Sequence, residues 1–419
     1  MTATWTITGA TLPDGTTTDL HISEGVFVDA APSGATAVDA QGLVALPGLV
    51  DIHTHLREPG GEESETIATG TAAAARGGFT AVYAMANTKP TTDSPERVED
   101  VRRRAEDAST EVVVIGSVTK GLKGEELSDI EGMGRAGVTV FSDDGFSVPT
   151  AGLVRGAMEA MLPFDGVLAE HCQDQTLAGP SACCHEGEVS RELGHVGWPS
   201  IAESVVIARD VQIAHYLGAR LHICHVSTAE GVEVLRWAKR RGVRVTAEVM
   251  PHHLLLGVDE MRSGSTTYKV NPPLRDPEDV EAVRQALADG TIDAVATDHA
   301  PHRRQDKDVP FPLAKPGMIA IEQVLSVVIE TMVNPGRLDW SGVADRMSHT
   351  PAKIGSLPHQ GRPITVGEPA NLVLVDPSAR EVVDREQSLS KARNNPYHGR
   401  ELPDPVVATF WKGRRTWAR

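Results

Sequence analysis

Residues 49–60 contain two histidines whose spacing suits metal chemistry. The first residues of this stretch are mostly apolar and predict a strand, and His53 and His55 lie two residues apart at its end. Because side chains alternate faces along a strand, both imidazoles point the same way. They could form half of a metal site, or they could be ordinary hydrogen-bonded histidines, and this stretch alone favours neither. Arg57 adds a positive charge two residues later.

Four further predicted strands end in residues that can bind a metal. These residues are one of the pair Asp143 and Asp144, then His171, His225 and Asp298. Imidazole and carboxylate ligands without thiolates suit Zn²⁺ or a similar first-row ion. Four histidines and two aspartates exceed what one catalytic zinc needs, so they predict two metals about 3.5–4 Å apart with a bridging hydroxide. A neighbouring carboxylate could then carry a proton to a leaving nitrogen.

Other polar residues near these strand ends are expected to have different roles. His222 and His299 have the opposite strand parity from the neighbouring candidate ligands, so we expect His222 to face the helix layer and His299 to be structural. Asn87, Asn271 and His302 follow predicted strands as hydrogen-bonding groups suited to an amide or a carboxylate.

The elements that would position these residues alternate between strands and helices. Strands are predicted at 49–55, 80–86, 112–118, 138–144, 166–171, 220–226, 243–249 and 292–298, with helix-like segments between them. This order predicts an α/β fold in which residues 48–360 form a (β/α)8 TIM-like barrel. Active sites of such barrels lie at the carboxyl ends of the strands, where the candidate ligands are.

Short alternating segments at both ends of the chain predict a second, smaller unit. Residues 1–47 contain three strand-like segments separated by turns, and two more occur within residues 361–419. We expect the two termini to pair into one small β-sandwich domain, with the barrel inserted between them.

Composition excludes several classes of protein. The formal charge is −17 and aromatic residues make up only 4% of the chain, which argues against a nucleic-acid or anionic-membrane partner. The chain contains no apolar run of about 18 residues, so no membrane span is expected. Its N-terminus lacks the features of a signal peptide. The four cysteines form no CxxC pair, so we expect a reduced, cytoplasmic protein.

In combination, seven motifs resemble those of class I dihydroorotases in the amidohydrolase superfamily. They are DIHTHLREPG (51–60), MANTKP (85–90), FSDDG (141–145), EHC (170–172), CHVST (224–228), NPPLR (271–275) and TDHAPH (297–302), and the resemblance extends from about residue 5 to 415. It implies a zinc-dependent, reversible cyclisation of N-carbamoyl-L-aspartate to L-dihydroorotate in de novo pyrimidine biosynthesis.

The resemblance also implies a role for each motif residue. His53, His55 and Asp298 would hold one zinc and His171 and His225 the second, with Asp144 rather than Asp143 bridging them, so two zinc ions per chain are expected. A hydroxide between the metals would be the nucleophile and Asp298 the proton shuttle. The residues implied to contact the substrate are His55, Arg57, Asn87, Asn271, His302, Pro316 and Gly317. Arg57 would pair with the substrate carboxylate. Pro316 stands where many relatives have an aromatic residue, and backbone donation from Gly317 is expected to survive that change.

Two alternatives stay open at this point. One is a cyclic amidohydrolase acting on hydantoin, dihydropyrimidine or allantoin; related hydantoinases use a carboxylated lysine as the metal bridge, and no lysine occurs at the end of the fourth strand here. The other is a non-catalytic scaffold for aspartate carbamoyltransferase. A small-molecule substrate, a homodimer and a possible aspartate carbamoyltransferase partner are expected, and residues 172–203 form a long insertion that could act as a lid or an oligomer contact.

Overall fold

The computed structural model describes residues 3–419, which form a mixed α/β protein. The strands are β1 (Trp5–Thr11), β2 (Thr17–Ser23), β3 (Val26–Val28), β4 (Thr36–Asp39), β5 (Val44–Pro47), β6 (Leu49–Thr54), β7 (Phe79–Ala84), β8 (Glu111–Val114), β9 (Val140–Phe141), β10 (Val167–Glu170), β11 (Cys184–His185), β12 (Gly197–Trp198), β13 (Arg220–Ile223), β14 (Val245–Val249), β15 (Ala294–Val295), β16 (Leu372–Val375), β17 (Arg380–Val382), β18 (Glu401–Pro403), β19 (Val406–Trp411) and β20 (Arg414–Ala418).

The α-helices are α1 (Ile67–Arg76), α2 (Pro95–Arg104), α3 (Ile130–Arg135), α4 (Ala151–Met161), α5 (Gln175–Ala178), α6 (Glu188–Glu192), α7 (Ile201–Leu217), α8 (Ala229–Arg240), α9 (Pro251–Leu255), α10 (Pro277–Asp289), α11 (Arg304–Lys307), α12 (Val324–Val328), α13 (Trp340–Ala344) and α14 (Thr350–Ile354). Short 3₁₀ helices occur at Lys120–Leu122, Leu162–Phe164, Val258–Ser263, Thr266–Tyr268, Phe311–Leu313 and Arg385–Gln387, and π-helical turns at Ile329–Val333 and Asp345–His349.

Eight strands in the middle of the chain pair in parallel. One sheet has the order β6-β7-β8 and the other β9-β10-β13-β14-β15. Parallel bridges from Gly116 to Phe141 and from Thr54 to His299 connect the ends of the two sheets. All eight strands predicted from the sequence are present, but most are shorter than expected because their last residues leave the hydrogen-bonded ladder to form the rim.

Most of these strands are buried on both faces, as parallel strands between helices usually are, whereas β8 is only partly buried. Along β6, Leu49 packs in the largest hydrophobic cluster, while Val50 and Ile52 pack in a second cluster. On β7, Val82 packs in the largest cluster and Tyr83 in the second. The period of two along each strand therefore separates one apolar layer under the helices from another enclosed by the strands.

A buried carboxylate connects the first and last of the eight parallel strands. Asp51 lies within β6 and accepts hydrogen bonds from the backbone N–H of Thr297 at 3.1 Å and from its hydroxyl at 2.5 Å. The same carboxylate accepts the backbone N–H of His53 at 3.2 Å. Asp51 thus fixes the end of β6, which carries His53 and His55, against the segment that carries Asp298.

Both ends of the chain build a separate eight-stranded sheet. Its order is β20-β19-β16-β5-β1-β2-β3, and β4 pairs with β1. Trp5, Phe27 and Phe410 belong to its hydrophobic cluster. Strands from both ends of the chain share this sheet, since β5 pairs with β16. Among residues 3–419, no helix combines the length and the apolar character that crossing a bilayer requires.

The insertion at residues 172–203 is folded against the rim. It contains α5, α6 and a two-stranded pairing of β11 with β12. The buried Arg275 donates to the carbonyl of Trp198 at 3.3 Å and lies 3.1 Å from Nδ1 of His185. This guanidinium therefore fixes the insertion to the segment that follows Asn271.

Candidate metal centre

Four of the predicted ligands converge from three separate strand ends. One donor atom from each of His53, His55, Asp144 and Asp298 lies within 4.8 Å of the others, and all four residues are buried. His55 Nε2 lies 2.9 Å from Asp298 Oδ1 and 3.3 Å from Asp144 Oδ2. His53 Nε2 lies 3.4 Å from Asp144 Oδ1. The spacing fits a set of metal ligands around one point.

A second group shares Asp144 with the first. His171, His225 and Asp144 also place one donor atom each within 4.8 Å of one another. Asp144 Oδ1 lies 3.1 Å from His225 Nε2 and 3.4 Å from His171 Nδ1. The neighbouring Asp143 instead accepts backbone N–H groups of Val118 and Thr119 at 2.7 and 3.0 Å. Geometry therefore separates the two aspartates where strand reasoning alone left both open.

The backbone at three site residues has a left-handed conformation. Arg57, His225 and Asp298 have φ of +62°, +37° and +43°, which non-glycine residues rarely adopt. Such strain occurs mainly where the surrounding structure enforces it, often at functional sites. At His225 and Asp298 the unusual turn directs the side chain towards the centre as the strand ends.

A buried network that the sequence analysis missed supports His53 from below. His53 Nδ1 donates to Glu248 Oε1 at 2.6 Å, and His222 Nε2 donates to Glu248 Oε2 at 3.1 Å. Thr246 lies 2.9 Å from the other ring nitrogen of His222. The prediction that His222 faces the helix layer is wrong, because its side chain lies in the buried network beneath the centre. The left-handed turn at His225 breaks the alternation on which that prediction depended.

His299 has the structural surroundings that its parity predicts. Its Nε2 lies 3.4 Å from Glu65, and its Nδ1 accepts the backbone N–H of Ala320 at 3.4 Å. It belongs to neither group of candidate ligands.

The donor set fits a divalent cation. His53 Nε2 is buried and has no hydrogen-bond partner among the described residues, although it points at two carboxylates. His171 Nδ1 and His225 Nε2 are only 2.9 Å apart, so two lone pairs would face each other without a cation or a proton between them. Nitrogen and carboxylate donors arranged in this way are those that first-row metals use in proteins.

The electrostatics of the centre also favour a positive charge. Burial opposes protonation of His53, but the carboxylates of Asp144 and Glu248 outweigh it and raise the pKa of His53 well above its usual value. Burial alone would raise the pKa of Asp144, yet the surrounding histidines, His53 first, lower it well below its ordinary range. A bound cation would neutralise the same carboxylates, so no histidine would have to be protonated while buried.

A cavity of about 750 Å³ opens beside the centre. It is lined by Arg57, Asn87 and His302, together with loop residues that follow the strands. Arg57 donates through Nε to the carbonyl of Pro301 at 3.1 Å. Burial lowers the pKa of Arg57 to about 10, so the guanidinium is charged at neutral pH. The cavity therefore offers a fixed positive group next to the candidate ligands.

The two predicted asparagines, Asn87 and Asn271, lie beside the histidines of the centre. Asn87 Oδ1 accepts a hydrogen bond from His55 Nδ1 at 3.0 Å, and Asn87 Nδ2 donates to the carbonyl of Asp144 at 3.3 Å. Asn271 Nδ2 lies 3.3 Å from His171 Nε2, which is also 3.1 Å from Gln173 Oε1. Both asparagines thus contact predicted ligands, and Asn87 also lines the cavity.

Pro316 and Gly317 follow Lys315, which lines the cavity, and their backbone groups already have partners. His302 Nε2 donates to the carbonyl of Pro316 at 2.7 Å. The N–H of Gly317 donates to the carbonyl of Lys269 at 2.9 Å, whereas the sequence analysis expected this group to face the substrate. A Cβ atom at position 317 would lie 2.7 Å from His302 Nε2, so only glycine fits there.

Glu248 and Asp51 could have been recognised from the sequence, because each is an acidic residue inside a predicted strand. Each is a carboxylate in a strand that is mostly buried, and both side chains are fully buried. A charged residue in a strand buried on both faces requires a buried partner, which points to the interior of the site.

Comparison with known proteins agrees with the motifs. A family model described as Dihydro-orotase-like matches residues 42–231. The dihydroorotase of Streptomyces coelicolor is 54% identical over 407 residues, which cover 96% of this chain and 95% of that protein. The dihydroorotase of Mycobacterium tuberculosis is 47% identical over 411 residues, covering 96% of this chain and 95% of the relative.

Solved structures with the same fold include two cyclic amidohydrolases. The L-hydantoinase of Arthrobacter aurescens superposes with a TM-score of 0.87 at 24% identity, covering 99% of this chain and 96% of its own. The dihydropyrimidinase of Brevibacillus agri NCHU1002 superposes with a TM-score of 0.86 at 22% identity, covering 98% and 94%. At these identities the structures show the fold alone, whereas the sequence relatives show the family. The chain belongs to the dihydroorotase family of the amidohydrolase superfamily.

Proposed function

We propose that this chain is a dihydroorotase that interconverts N-carbamoyl-L-aspartate and L-dihydroorotate in de novo pyrimidine biosynthesis. The names of its relatives support this assignment. The observation that carries it furthest is the position of Arg57, whose charged guanidinium lines the same cavity as Asn87 beside the His/Asp cluster. A fixed guanidinium suits a ring that bears a carboxylate, which dihydroorotate has and hydantoin lacks.

The proposal includes two zinc ions per chain. His53, His55 and Asp298 would hold one, His171 and His225 the other, and Asp144 would contact both, because its carboxylate belongs to both groups of donors. Zinc bound there would provide a water of lowered pKa and would polarise the ring carbonyl that is attacked.

The side chains of the centre would then orient the substrate and move one proton. Asp298 would accept a proton at a carboxylate oxygen and deliver it to the ring nitrogen as the amide bond breaks. Its Oδ1 lies beside His55 Nε2 at 2.9 Å, where it is held at the edge of the cluster. Arg57, Asn87, Asn271 and His302 would bind the carboxylate and the ring amides, and Pro316 and Gly317 would close the cavity around them.

The proposed domain arrangement places this site on a barrel. Residues 48–360 would form a closed (β/α)8 barrel, supported by the two bridges that join the parallel sheets. Residues 1–47 and 361–419 would form a β-sandwich, supported by the sheet that contains strands from both ends.

A reduced cytoplasmic location, a homodimer and an association with aspartate carbamoyltransferase complete the proposal. The four cysteines of the chain are free thiols, which is consistent with a reducing compartment. Light scattering of the pure protein, alone and with aspartate carbamoyltransferase added, would measure both assemblies.

The decisive experiment measures metal content and activity on one sample. We expect two zinc ions per chain and hydrolysis of L-dihydroorotate, with much slower hydrolysis of hydantoin, dihydrouracil and allantoin, which lack the carboxylate. Faster turnover of one of these neutral rings would assign the chain to another cyclic amidohydrolase. A folded, metal-loaded preparation that leaves every ring intact would overturn the proposal.

A further inference from the structure

Residues 303–318 cross the rim of the site and are held by a second loop. Thr266 Oγ1 donates to the carbonyl of Lys307 at 2.6 Å, and Lys269 Nζ donates to the carbonyl of Pro312 at 2.8 Å. The N–H of Gly317 donates to the carbonyl of Lys269 at 2.9 Å. Contacts from residues 266–269 therefore hold the crossing segment at its beginning, middle and end.

One buried lysine lies at the centre of these contacts. Lys307 is only 5% exposed, and its Nζ donates to the carbonyls of Lys269, Lys315 and Gly317 at 3.2, 2.9 and 3.1 Å. All three partners are main-chain carbonyls, and no carboxylate among residues 3–419 pairs with the amine. A buried amino group without a carboxylate is costly, and its hydrogen bonds must account for its presence.

The three carbonyls belong to two segments that carry predicted substrate contacts. Lys269 lies two residues before Asn271, and Lys315 and Gly317 flank Pro316. The carbonyl of Pro316 in turn accepts a hydrogen bond from His302 Nε2 at 2.7 Å. The amino group of Lys307 therefore joins the segment that carries Asn271 to the segment that carries Pro316 and Lys315, of which Lys315 lines the cavity.

We propose that Lys307 is a positioning residue, whose amino group sets the distance between the Asn271 segment and the Pro316–Gly317 segment and thereby shapes the cavity for the substrate. Lys307 does not touch the reacting atoms. It acts through three backbone carbonyls, and its effect falls on substrate binding rather than on the chemical step.

This role does not depend on one protonation state. Burial, with a smaller contribution from Lys269, lowers the pKa of Lys307 to about 7. An ammonium has three N–H donors and a neutral amine has two, so at least two of the three carbonyls keep a donor in either form.

The test compares Lys307→Met with Arg304→Met. Methionine keeps an unbranched side chain of similar size but removes the donors, whereas Arg304 lies on the same helical turn α11 and is exposed, so its variant controls for charge. In Lys307→Met we expect hydrogen–deuterium exchange at the amides of Lys315 and Gly317 to accelerate at least about tenfold, with the parallel strands unchanged. Arg304→Met should exchange like the native protein.

A kinetic measurement separates positioning from general destabilisation. It depends on the proposed function, since it uses L-dihydroorotate. We expect Lys307→Met to raise KM about tenfold while kcat stays within about threefold. The variant should bind the substrate and the transition state more weakly by the same amount, which leaves the chemical step unchanged. A merely destabilised enzyme would show a lower active fraction, and hence a lower kcat, at native KM.

Lys307→Gln provides a milder variant. Its amide keeps two N–H donors, so we expect exchange and KM between those of the native protein and Lys307→Met, and it carries the test if the methionine variant does not fold. Native exchange rates at Lys315 and Gly317 in either folded variant would overturn the proposal. If the native protein does not hydrolyse dihydroorotate, the proposed function fails while the exchange experiment still decides the role of Lys307.

Discussion

Two regions of the site are positioned by different means: the crossing segment at residues 303–318, and the wall of candidate metal ligands formed by His53, His55, Asp144, His171, His225 and Asp298. The wall consists of residues at the ends of hydrogen-bonded strands, supported beneath by the buried carboxylates Asp51 and Glu248. The crossing segment has little regular structure and is held mainly by side chains that reach main-chain carbonyls. In the proposed function, the wall would be a rigid face for chemistry and the crossing segment a locally fastened face for substrate binding.

If the wall performs the chemistry, the largest loss should follow a change at the carboxylate shared by both groups of ligands. We expect Asp144→Asn to lower the zinc content and to reduce dihydroorotate hydrolysis by at least about 10³-fold, because several kcal/mol of metal-assisted stabilisation is lost. Metal analysis and steady-state kinetics on one preparation measure both effects.

The adjacent carboxylate provides the control for Asp144. Asp143→Asn should keep both metals but lower the free energy of unfolding by about 1–3 kcal/mol, because Asp143 accepts two backbone N–H groups. Equal loss of metal in the two variants would contradict the separation of the two aspartates.

A change at Asp298 tests whether this candidate ligand also transfers the proton to the ring nitrogen. We expect Asp298→Asn, which keeps a carbonyl oxygen beside His55, to retain most of the metal and to lower kcat by about 10²–10⁴-fold. Loss of activity in parallel with loss of metal would show that Asp298 is a ligand only.

Glu248 tests how far the support beneath the wall matters. Glu248→Gln should reduce metal affinity or activity by about 10–100-fold, because the hydrogen bond that orients His53 is weakened and His222 loses its carboxylate acceptor. Competition with a chelator measures the affinity. Native affinity and native kcat in this variant would leave Glu248 with no role in orienting His53.

The smallest effect is expected on the crossing segment. Gly317 has φ of +138° and no room for a Cβ atom against His302, so Gly317→Ala should strain the loop by about 1–3 kcal/mol and raise KM more than it lowers kcat. Gly242→Ala is the matched control, since Gly242 has φ of +73° but, its two chain neighbours aside, no described residue comes within 4 Å of the added methyl group. A kcat effect as large as that of Asp298→Asn would contradict the division of labour between the two faces.

The sequence could predict the wall because its residues are positioned by local rules. Strand periodicity, with the rule that parallel strands of a barrel end at one rim, predicted that His53, His55, His171 and Asp298 lie close together. In the structure they belong to two groups of donors that share Asp144. The same rules failed for His222, because the left-handed turn at His225 ends the alternation by which the two side chains were compared.

The crossing segment could not be predicted in the same way. Lys307 lies in the run Arg303-Arg304-Gln305-Asp306-Lys307-Asp308, which is typical of a solvated surface. Its burial depends on carbonyls supplied by Lys269 and by residues 315–317, contacts that no local pattern encodes. The resemblance to a family indicated that Gly317 matters but not which partner its N–H has.

The terminal sheet has a consequence for how the protein is made. β5 pairs with β16 through partners such as Leu46 and Val373, so its neighbour is translated 327 residues later. At roughly 5–20 residues per second, β5 waits about 15–65 s on the ribosome with an unpaired edge. Exposed strand edges promote aggregation, so nascent chains should need chaperone protection until the last strands emerge. Ribosome profiling with chaperone capture would locate that interval.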